Sequence, residues 1–177
     1  IKINKYKILS LKIDHKYAIN YINYIKIPLT FPIYIKEYIS KLNKDKIYDY
    51  NFIGKITNKR EWVNKFKNKN SIIKESLNGR NKKIKYSIDK KYYDILSKSK
   101  FTLTPTGDCN WSYRFFEAIM CLSIPILENN SKDIFMKDYF FYYEKDNHIY
   151  NNDKAHHNYY KFINSEHFLK NIKYLKL

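Results

Sequence analysis

The sequence has only two cysteines, and their placement argues against a disulfide. Cys109 and Cys121 flank a predicted helix, which would hold them about 18 Å apart at the usual rise per residue, whereas bridged cysteines have Cα atoms within about 7 Å of each other. A reducing compartment, or no redox requirement at all, is the expected setting. The sequence also lacks an internal repeat and any cluster of cysteine and histidine at metal-ligand spacing.

Long hydrophobic runs and a signal peptide are absent as well. The longest apolar region, residues 17–39, is interrupted by lysines and prolines, which excludes it as a membrane span. Because the chain begins at Ile1 without a methionine, we expect it to be a piece of a longer protein. Its location, either cytoplasmic or attached to a membrane of the secretory pathway, would then depend on regions outside this chain.

Arginine is scarce although the chain is strongly basic. Lysine and arginine total 34 residues and the net charge is +17, but the arginines are only Arg60, Arg80 and Arg114. The excess of Lys, Asn, Ile and Tyr over Gly and Pro matches AT-rich codon usage, which explains the charge as a solvated lysine surface without a nucleic-acid partner. The retained arginines are therefore informative, since a planar guanidinium suits phosphate and carboxylate.

Hydrophobic residues are plentiful enough for a packed core. They make up 44% of the chain, and aromatic residues make up 18%, which excludes a disordered polymer. The length fits one domain, or one domain with part of another. We expect residues 1–30, with their short strand-like runs, to be the remnant of a preceding domain or its linker, and residues 31–177 to form the main domain.

Signals for strands and helices alternate along this main domain. We expect helices at 33–47, 59–68, 89–97, 111–121 and 131–137 and in the tail from Ser165, and strands at 50–54, 83–86, 101–104, 124–127 and 139–143. Such alternation predicts an α/β, Rossmann-like fold, in which a mostly parallel sheet has helices on both faces.

The most specific segment is 99–129, where a strand, a polar loop, an amphipathic helix and a second strand follow one another. The helix has apolar residues at the spacing of a buried stripe: Trp111, Phe115, Ala118, Ile119 and Leu122. Its N-terminus offers free N–H groups and the positive end of the helix dipole, so the preceding loop is a predicted anion site.

Two pairs of residues leave alternatives open. Arg114 and Glu117 lie three positions apart on the central helix, so they could form a surface ion pair of little energetic consequence or belong to a binding site. Gly54 ends a predicted strand and Arg60 follows in the first turn of a helix. This arrangement fits a phosphate site, and it fits equally a turn glycine beside a surface arginine.

The segments SKFTLTPTG (99–107), SYRFFEA (112–118) and IPI (124–126) together resemble the C-terminal motif of the exostosin family, glycosyltransferase family 47. A weaker resemblance extends to YNFIGKITNKR (50–60) and IPLTFP (27–32). The resemblance implies the nucleotide-sugar half of a two-domain GT-B glycosyltransferase, with an acceptor-side N-terminal domain that is missing from this chain.

The resemblance also implies roles for individual residues. Glu117 matches a glutamate that, in related GT-B families, accepts hydrogen bonds from the donor ribose, and one carboxylate can accept from two adjacent hydroxyls. Arg114 would hold the diphosphate or orient Glu117. The other implied donor-binding residues would supply hydrogen bonds or positive charge to phosphate: Thr106, Gly107, Ser112, Lys55 and Arg60.

Several positions depart from the family pattern. Thr106 stands where the family often has arginine, Leu122 where it has glycine, and Cys109 where many retaining relatives have a second glutamate. Asp108, beside Cys109, is the remaining candidate for a catalytic residue, and the catalytic base could also lie in the missing domain. The sequence has no Asp-x-Asp motif, so the resemblance implies a metal-independent mechanism without a cofactor.

The leading hypothesis is an enzyme that transfers a sugar from a UDP- or GDP-type donor to a glycan or glycoprotein acceptor and needs a second domain to do so. One alternative is a non-catalytic module that binds nucleotide sugar, which the residues Cys109 and Leu122 suggest. The other is a basic domain that binds single-stranded nucleic acid through lysine and stacked tyrosine.

Overall fold

The computed structural model describes residues 11–14, 19–22, 25–28, 31–76, 88–107, 112–128, 136, 138–164 and 168–169. In chain order the elements are β1 (Leu11–Asp14), β2 (Ile19–Ile22), β3 (Ile25–Pro28), β4 (Phe31–Pro32), α1 (Ile33–Ser40), β5 (Tyr48–Gly54), a 3₁₀ helix (Asn58–Phe66), β6 (Ile72–Glu75), α2 (Lys90–Ser97), β7 (Ser99–Leu103), α3 (Tyr113–Met120), β8 (Ile124–Leu127), β9 (Tyr142–Tyr143), α4 (Asn152–Ile163) and β10 (Phe168–Leu169).

The largest sheet has five strands in the order β6-β5-β7-β8-β9, and every neighbouring pair is parallel. All four residues of β8 are buried, as expected for a strand that is covered on both faces of a parallel sheet. The predicted α/β, Rossmann-like fold is confirmed.

Two smaller sheets involve the ends of the described chain. Strands β1, β2 and β3 form an antiparallel sheet, which agrees with the strand-like runs of residues 1–30. Strand β4 pairs in parallel with β10. The prediction of a helix from Ser165 is wrong at 168–169. Pairing with β4 prevails there over the helical spacing of apolar residues.

Two hydrophobic clusters form the core. The first is built mainly from helices and includes Ile39, Leu96, Phe115, Ile119 and Phe162. The second joins the sheet to the 3₁₀ helix and includes Phe52, Val63, Phe101, Leu103 and Ile126. The adjacent β8 residues Ile126 and Leu127 belong to different clusters, and neighbouring residues of a strand point to opposite faces. The clusters therefore cover the two faces of the sheet.

Several predicted elements have different boundaries in the structure. The helix predicted at 59–68 is a 3₁₀ helix, the helix predicted at 33–47 ends at Ser40, and only Tyr142–Tyr143 of the predicted strand 139–143 is extended in the sheet. Strand β6 and helix α4 were not predicted. The elements predicted at 83–86 and 131–137 lie outside the described residues, apart from Met136.

Helix α3 ends in a Schellman motif, and Leu122 occupies the position of that motif where the resembled family has glycine. The N–H of Ser123 donates to the carbonyl of Ala118 at 2.9 Å, and the N–H of Leu122 donates to that of Ile119 at 3.1 Å. This motif places the residue at Leu122 in the left-handed region, and Leu122 has a φ of 55°. Glycine is favoured there because it has no Cβ. Leucine instead contributes a buried side chain to the second hydrophobic cluster.

A partly buried lysine joins the C-terminal ends of α2 and α3. Nζ of Lys46 donates to the carbonyls of Ser97 at 2.7 Å and Cys121 at 2.8 Å, and helix ends leave such carbonyls without intrahelical partners. Burial lowers the pKa of Lys46 to about 7. Burial also raises the pKa of the Cys121 thiol to about 12, so this cysteine remains a thiol at neutral pH.

A row of buried polar side chains, Asn51, Thr102 and Ser123, crosses the middle of the sheet. Nδ2 of Asn51 donates to Oγ1 of Thr102 at 2.7 Å and to the carbonyl of Phe101 at 3.1 Å. Oγ1 of Thr102 lies in turn 2.8 Å from Oγ of Ser123. This polar row connects β5, β7 and the residue that precedes β8.

None of the helices in the described ranges is both long enough and apolar enough to pass through a lipid bilayer.

Candidate functional site

The candidate site lies where the parallel strands end at their carboxyl termini. Gly54 ends β5, Thr106 lies in the segment after β7, and Glu128 directly follows β8. Because all these strands are parallel, their carboxyl ends lie along one edge of the sheet. Ligands of open α/β sheets bind outside this edge.

Arg114 reaches from α3 to the end of β5. Its Nη2 donates to the carbonyl of Ile53 at 2.9 Å, and its guanidinium carbon lies 4.8 Å from the centre of the Phe52 ring, within range of a cation–π contact. Its Nε is buried and has no hydrogen-bond partner. The guanidinium is thus fixed at one end and keeps an unused donor.

Ser112 immediately precedes α3 and does not cap it in the usual way. Its backbone is extended, with φ −139° and ψ 157°, but its side chain makes no capping hydrogen bond. Like Nε of Arg114, its Oγ is buried without a partner. Unpaired buried polar groups are uncommon in folded proteins and call for an explanation. Here two of them occur at one helix N-terminus, where an anion would also meet free N–H groups.

Glu117 is held by two tyrosines of α2. The hydroxyl of Tyr92 donates to Oε2 of Glu117 at 2.7 Å, and that of Tyr93 donates to Oε1 at 3.1 Å. Burial, followed by the charge of Glu117, raises the pKa of both tyrosines well above the usual value. Both phenols therefore stay protonated over the physiological pH range and remain hydrogen-bond donors.

Arg114 and Glu117 do not pair with each other. None of the ion pairs between described residues joins them, and each has partners on a different element, β5 for Arg114 and α2 for Glu117. The interpretation as a surface ion pair therefore does not fit the structure. The two side chains are instead held by different neighbours of α3.

Glu128 and Arg60 hold the segment after β7, which comprises residues 104–107 and is called the Thr106 loop. Oε1 of Glu128 accepts from the N–H of Thr106 at 3.2 Å and Oε2 accepts from its Oγ1 at 2.8 Å. Arg60 donates to the carbonyl of Thr106 from Nε at 3.1 Å and from Nη2 at 3.0 Å. Every polar group of Thr106 thus has a partner within the protein.

The same residues connect this loop to its surroundings. Nε1 of Trp62 donates to Oε1 of Glu128 at 3.0 Å, and Nη1 of Arg60 donates to the carbonyl of Lys55 at 3.3 Å. Arg60 is therefore bonded to the two segments that follow β5 and β7. The structure brings together three of the predicted residues here: Lys55, Arg60 and Thr106.

The remaining predicted residues differ in how they are placed. Gly107 and Lys55 are exposed. Asp108 and Cys109 lie outside the described residues. Within the described residues, no three side chains of His, Cys, Asp or Glu come together in a way that could hold a metal ion.

Sequence reasoning missed Glu128, Tyr92 and Tyr93. A signal for Glu128 was present, since a carboxylate directly after a fully apolar strand of a parallel sheet falls at the ligand-binding edge. No comparable signal existed for the tyrosines, because their contacts to Glu117 join residues 24 and 25 positions apart and the chain contains 19 tyrosines.

Comparison with known protein families supports the predicted relationship. Residues 29–162 match the family model described as the RXYLT1 C-terminal domain, which covers well over half of the chain. No curated protein is significantly similar to it. The match agrees with the exostosin resemblance of 99–129, and the predicted family is confirmed. This chain belongs to the RXYLT1 C-terminal domain family, the C-terminal domain of an exostosin-like xylosyltransferase.

Proposed function

We propose that this chain binds a nucleoside diphosphate sugar of the UDP or GDP type and forms the donor side of a glycosyltransferase. Membership of an exostosin-like glycosyltransferase family implies a sugar donor and an acceptor as partners. We further propose that the acceptor is a glycan or a glycoprotein. The family's name makes a xylose-bearing nucleotide the first donor to test.

The observation that supports donor binding most directly is the pair of unused polar groups at the start of α3. Nε of Arg114 and Oγ of Ser112 are both buried without a partner, at the edge of the sheet where α/β proteins bind ligands. A diphosphate would accept from both groups and from the first N–H groups of the helix. Its binding would thus remove the cost of two unsatisfied donors.

The proposed chemistry is stabilisation of a leaving group. When the bond between sugar and phosphate breaks, negative charge accumulates on the departing nucleoside diphosphate. A fixed guanidinium and oriented N–H groups stabilise that charge. Arg114 is oriented for this role by Ile53 and Phe52, and the exposed Lys55 could add a second positive charge. We propose that no metal ion is needed for this binding.

We propose that the other predicted residues belong to the same site. We propose that Arg60 and Thr106 act mainly by keeping the Thr106 loop at the carboxyl edge of the sheet, since both are bonded to the protein itself. Gly107 and Ser112 would face the phosphates, and Glu117 would accept hydrogen bonds from the ribose. Asp108 remains the candidate catalytic residue.

Isothermal titration of the chain with UDP, GDP and UDP-xylose tests this proposal. The titrations are run with EDTA and repeated with magnesium, so that any metal requirement becomes visible. Arg114→Gln should weaken binding by about 10- to 100-fold, since hydrogen bonds to charged groups contribute about 1.5–3 kcal/mol. Lys161→Gln is the matched control because it removes one positive charge from α4, where Lys161 lies 3.9 Å from Asp138.

Two results would count against the proposal. One is a folded sample that binds none of the three ligands. The other is an equal loss of affinity in Arg114→Gln and Lys161→Gln, which would indicate that the net charge alone attracts the nucleotide. Binding of single-stranded nucleic acid that collapses with salt and survives Arg114→Gln would favour the nucleic-acid alternative.

A further inference from the structure

The two tyrosines that contact Glu117 are consecutive residues of α2. Consecutive side chains on a helix normally diverge, yet the rings of Tyr92 and Tyr93 lie 5.2 Å apart at an angle of 71° and their hydroxyls reach opposite oxygens of one carboxylate. The carboxylate is thereby fixed both in position and in rotation about its last torsion. That torsion is otherwise broad for glutamate.

The hydrogen-bonding capacity of Glu117 is only half used by these contacts. An ionised carboxylate has about four acceptor positions, two on each oxygen. Each tyrosine occupies one position, so one position remains on each oxygen. Glu117 is partly exposed, whereas Tyr93 is 5% exposed. A ligand that reaches this carboxylate would therefore use the two remaining positions.

Two free acceptor positions on adjacent oxygens match a pair of adjacent hydroxyl donors. Ribose offers such a pair in its 2′- and 3′-hydroxyls, while 2′-deoxyribose offers only one. A carboxylate that is free to rotate would lose orientation on binding, but this one is already oriented, so less entropy is lost when a diol binds.

We propose that Tyr92 and Tyr93 are positioning residues that orient Glu117 to receive both ribose hydroxyls, so that the site selects ribonucleotides over 2′-deoxyribonucleotides. This inference rests on the proposed function, since it requires that a nucleotide binds beside α3. The tyrosines do not touch the ligand and act through Glu117.

The test compares UDP with 2′-deoxyUDP, and GDP with 2′-deoxyGDP, by calorimetry on the whole chain. The wild type should bind the ribonucleotide at least about 10-fold more tightly, because the deoxy form leaves a charged acceptor without its donor. In Tyr92→Phe and Tyr93→Phe the preference should fall to about 3-fold or less, with little change in affinity for the deoxynucleotide. If the tyrosines had a purely structural role, their loss would lower the affinity for both nucleotides equally.

Tyr150→Phe is the matched control, because its hydroxyl also bonds within the protein, to the carbonyl of Leu122 at 3.0 Å. It should leave the preference unchanged. If one tyrosine variant fails to fold, the other carries the test, because each hydroxyl holds one oxygen of Glu117. Glu117→Gln keeps only one acceptor oxygen and should lower the preference to about 3-fold or less as well.

An unchanged preference in the folded tyrosine variants would overturn the inference while leaving the proposed function intact, as would a wild type that binds both forms equally. A folded wild type that binds no nucleotide would overturn both.

Discussion

The guanidinium of Arg114 occupies the space in which a side chain on Gly54 would begin. A Cβ added to Gly54 would lie 2.9 Å from Nη2 of Arg114 and 3.1 Å from Cζ of Phe52. Gly54→Ala should therefore displace the guanidinium from the carbonyl of Ile53 and lower the free energy of unfolding by about 1–2 kcal/mol. Urea unfolding measures this change.

A double-mutant cycle identifies the source of that cost. Gly54→Ala is measured again in the background of Arg114→Ala, where the guanidinium is absent and only the contact with Phe52 remains. The substitution should cost less in this background. An equal cost in both backgrounds would show that Phe52, and not Arg114, is what requires glycine at this position.

The Thr106 loop should depend on Glu128. Glu128→Ala removes the acceptor for the indole of Trp62 and for two donors of Thr106, so we expect a loss of stability of about 2–3 kcal/mol and faster hydrogen exchange at the Thr106 amide. Glu128→Gln keeps one acceptor oxygen and should cost only about 1 kcal/mol. Equal exchange rates in the wild type and Glu128→Ala would contradict the role given to this residue.

The lowered pKa of Lys46 should give the protein an unusual dependence of stability on pH. Burial lowers its pKa to about 7 in the folded state, whereas an unfolded lysine titrates near 10.4. Between these values the unfolded state binds more protons, so stability rises with pH. Relative to Lys46→Met, the wild type should gain about 1.5 kcal/mol from pH 7 to pH 8.5, measured by urea unfolding.

The comparison with a variant removes the effects of other groups. Lys41→Met, at an exposed position, is the matched control and should show no such trend against the wild type. The pH range ends at 8.5 because Cys121 interacts electrostatically with Lys46, and an unfolded cysteine begins to ionise there, while burial raises the pKa of folded Cys121 to about 12. A flat difference between wild type and Lys46→Met would mean that Lys46 stays charged when folded.

At position 122 the glycine variant should be more stable than the alanine variant, which reverses the usual order in helices. Both substitutions remove the buried leucine side chain, at a cost of about 2–5 kcal/mol. Only glycine also relieves the strain of a φ of 55°, which amounts to about 1 kcal/mol for a residue with a Cβ. Leu122→Gly should therefore unfold at a higher urea concentration than Leu122→Ala.

Ile119 provides the matched control for Leu122, since it is buried in the middle of α3. The free energy of unfolding of Ile119→Ala should exceed that of Ile119→Gly by about 1 kcal/mol, as in any helix interior. If glycine proved worse than alanine at both positions, the left-handed conformation of Leu122 would contribute nothing measurable.

The sequence predicted the centre of the fold better than its margins. Strands β5, β7 and β8 and helix α3 have strong local signals, and the described members of the predicted stripe are buried. Helix α4 was not predicted because one of its inward positions is Asn158, which is buried and bonded to the backbone of Phe140. A polar residue at a core position cannot be distinguished from a surface residue by periodicity.

The candidate site was predictable only to the extent that it is local. Arg114, Ser112 and Glu117 lie on one short segment, so a motif could find them. The tyrosines of α2 and the partners of Glu128 lie farther apart in the sequence, 22 to 66 positions from the carboxylates that they contact. Only folding brings such residues together, so no local sequence pattern predicts their contacts.

The polar row in the sheet has a consequence for strand alignment. Strands that are apolar on both faces pair almost equally well in several registers, and a slip of one residue moves every side chain to the opposite face. Here a slip of β7 against β5 would separate Thr102 from Asn51, which are paired in register, and remove the hydroxyl acceptor of the buried Nδ2 of Asn51 at a cost of about 1–3 kcal/mol. Alignment of the strand ends follows from this register. Three polar groups in the middle of the sheet thus favour the register that places Gly54, Thr106 and Glu128 along the same edge.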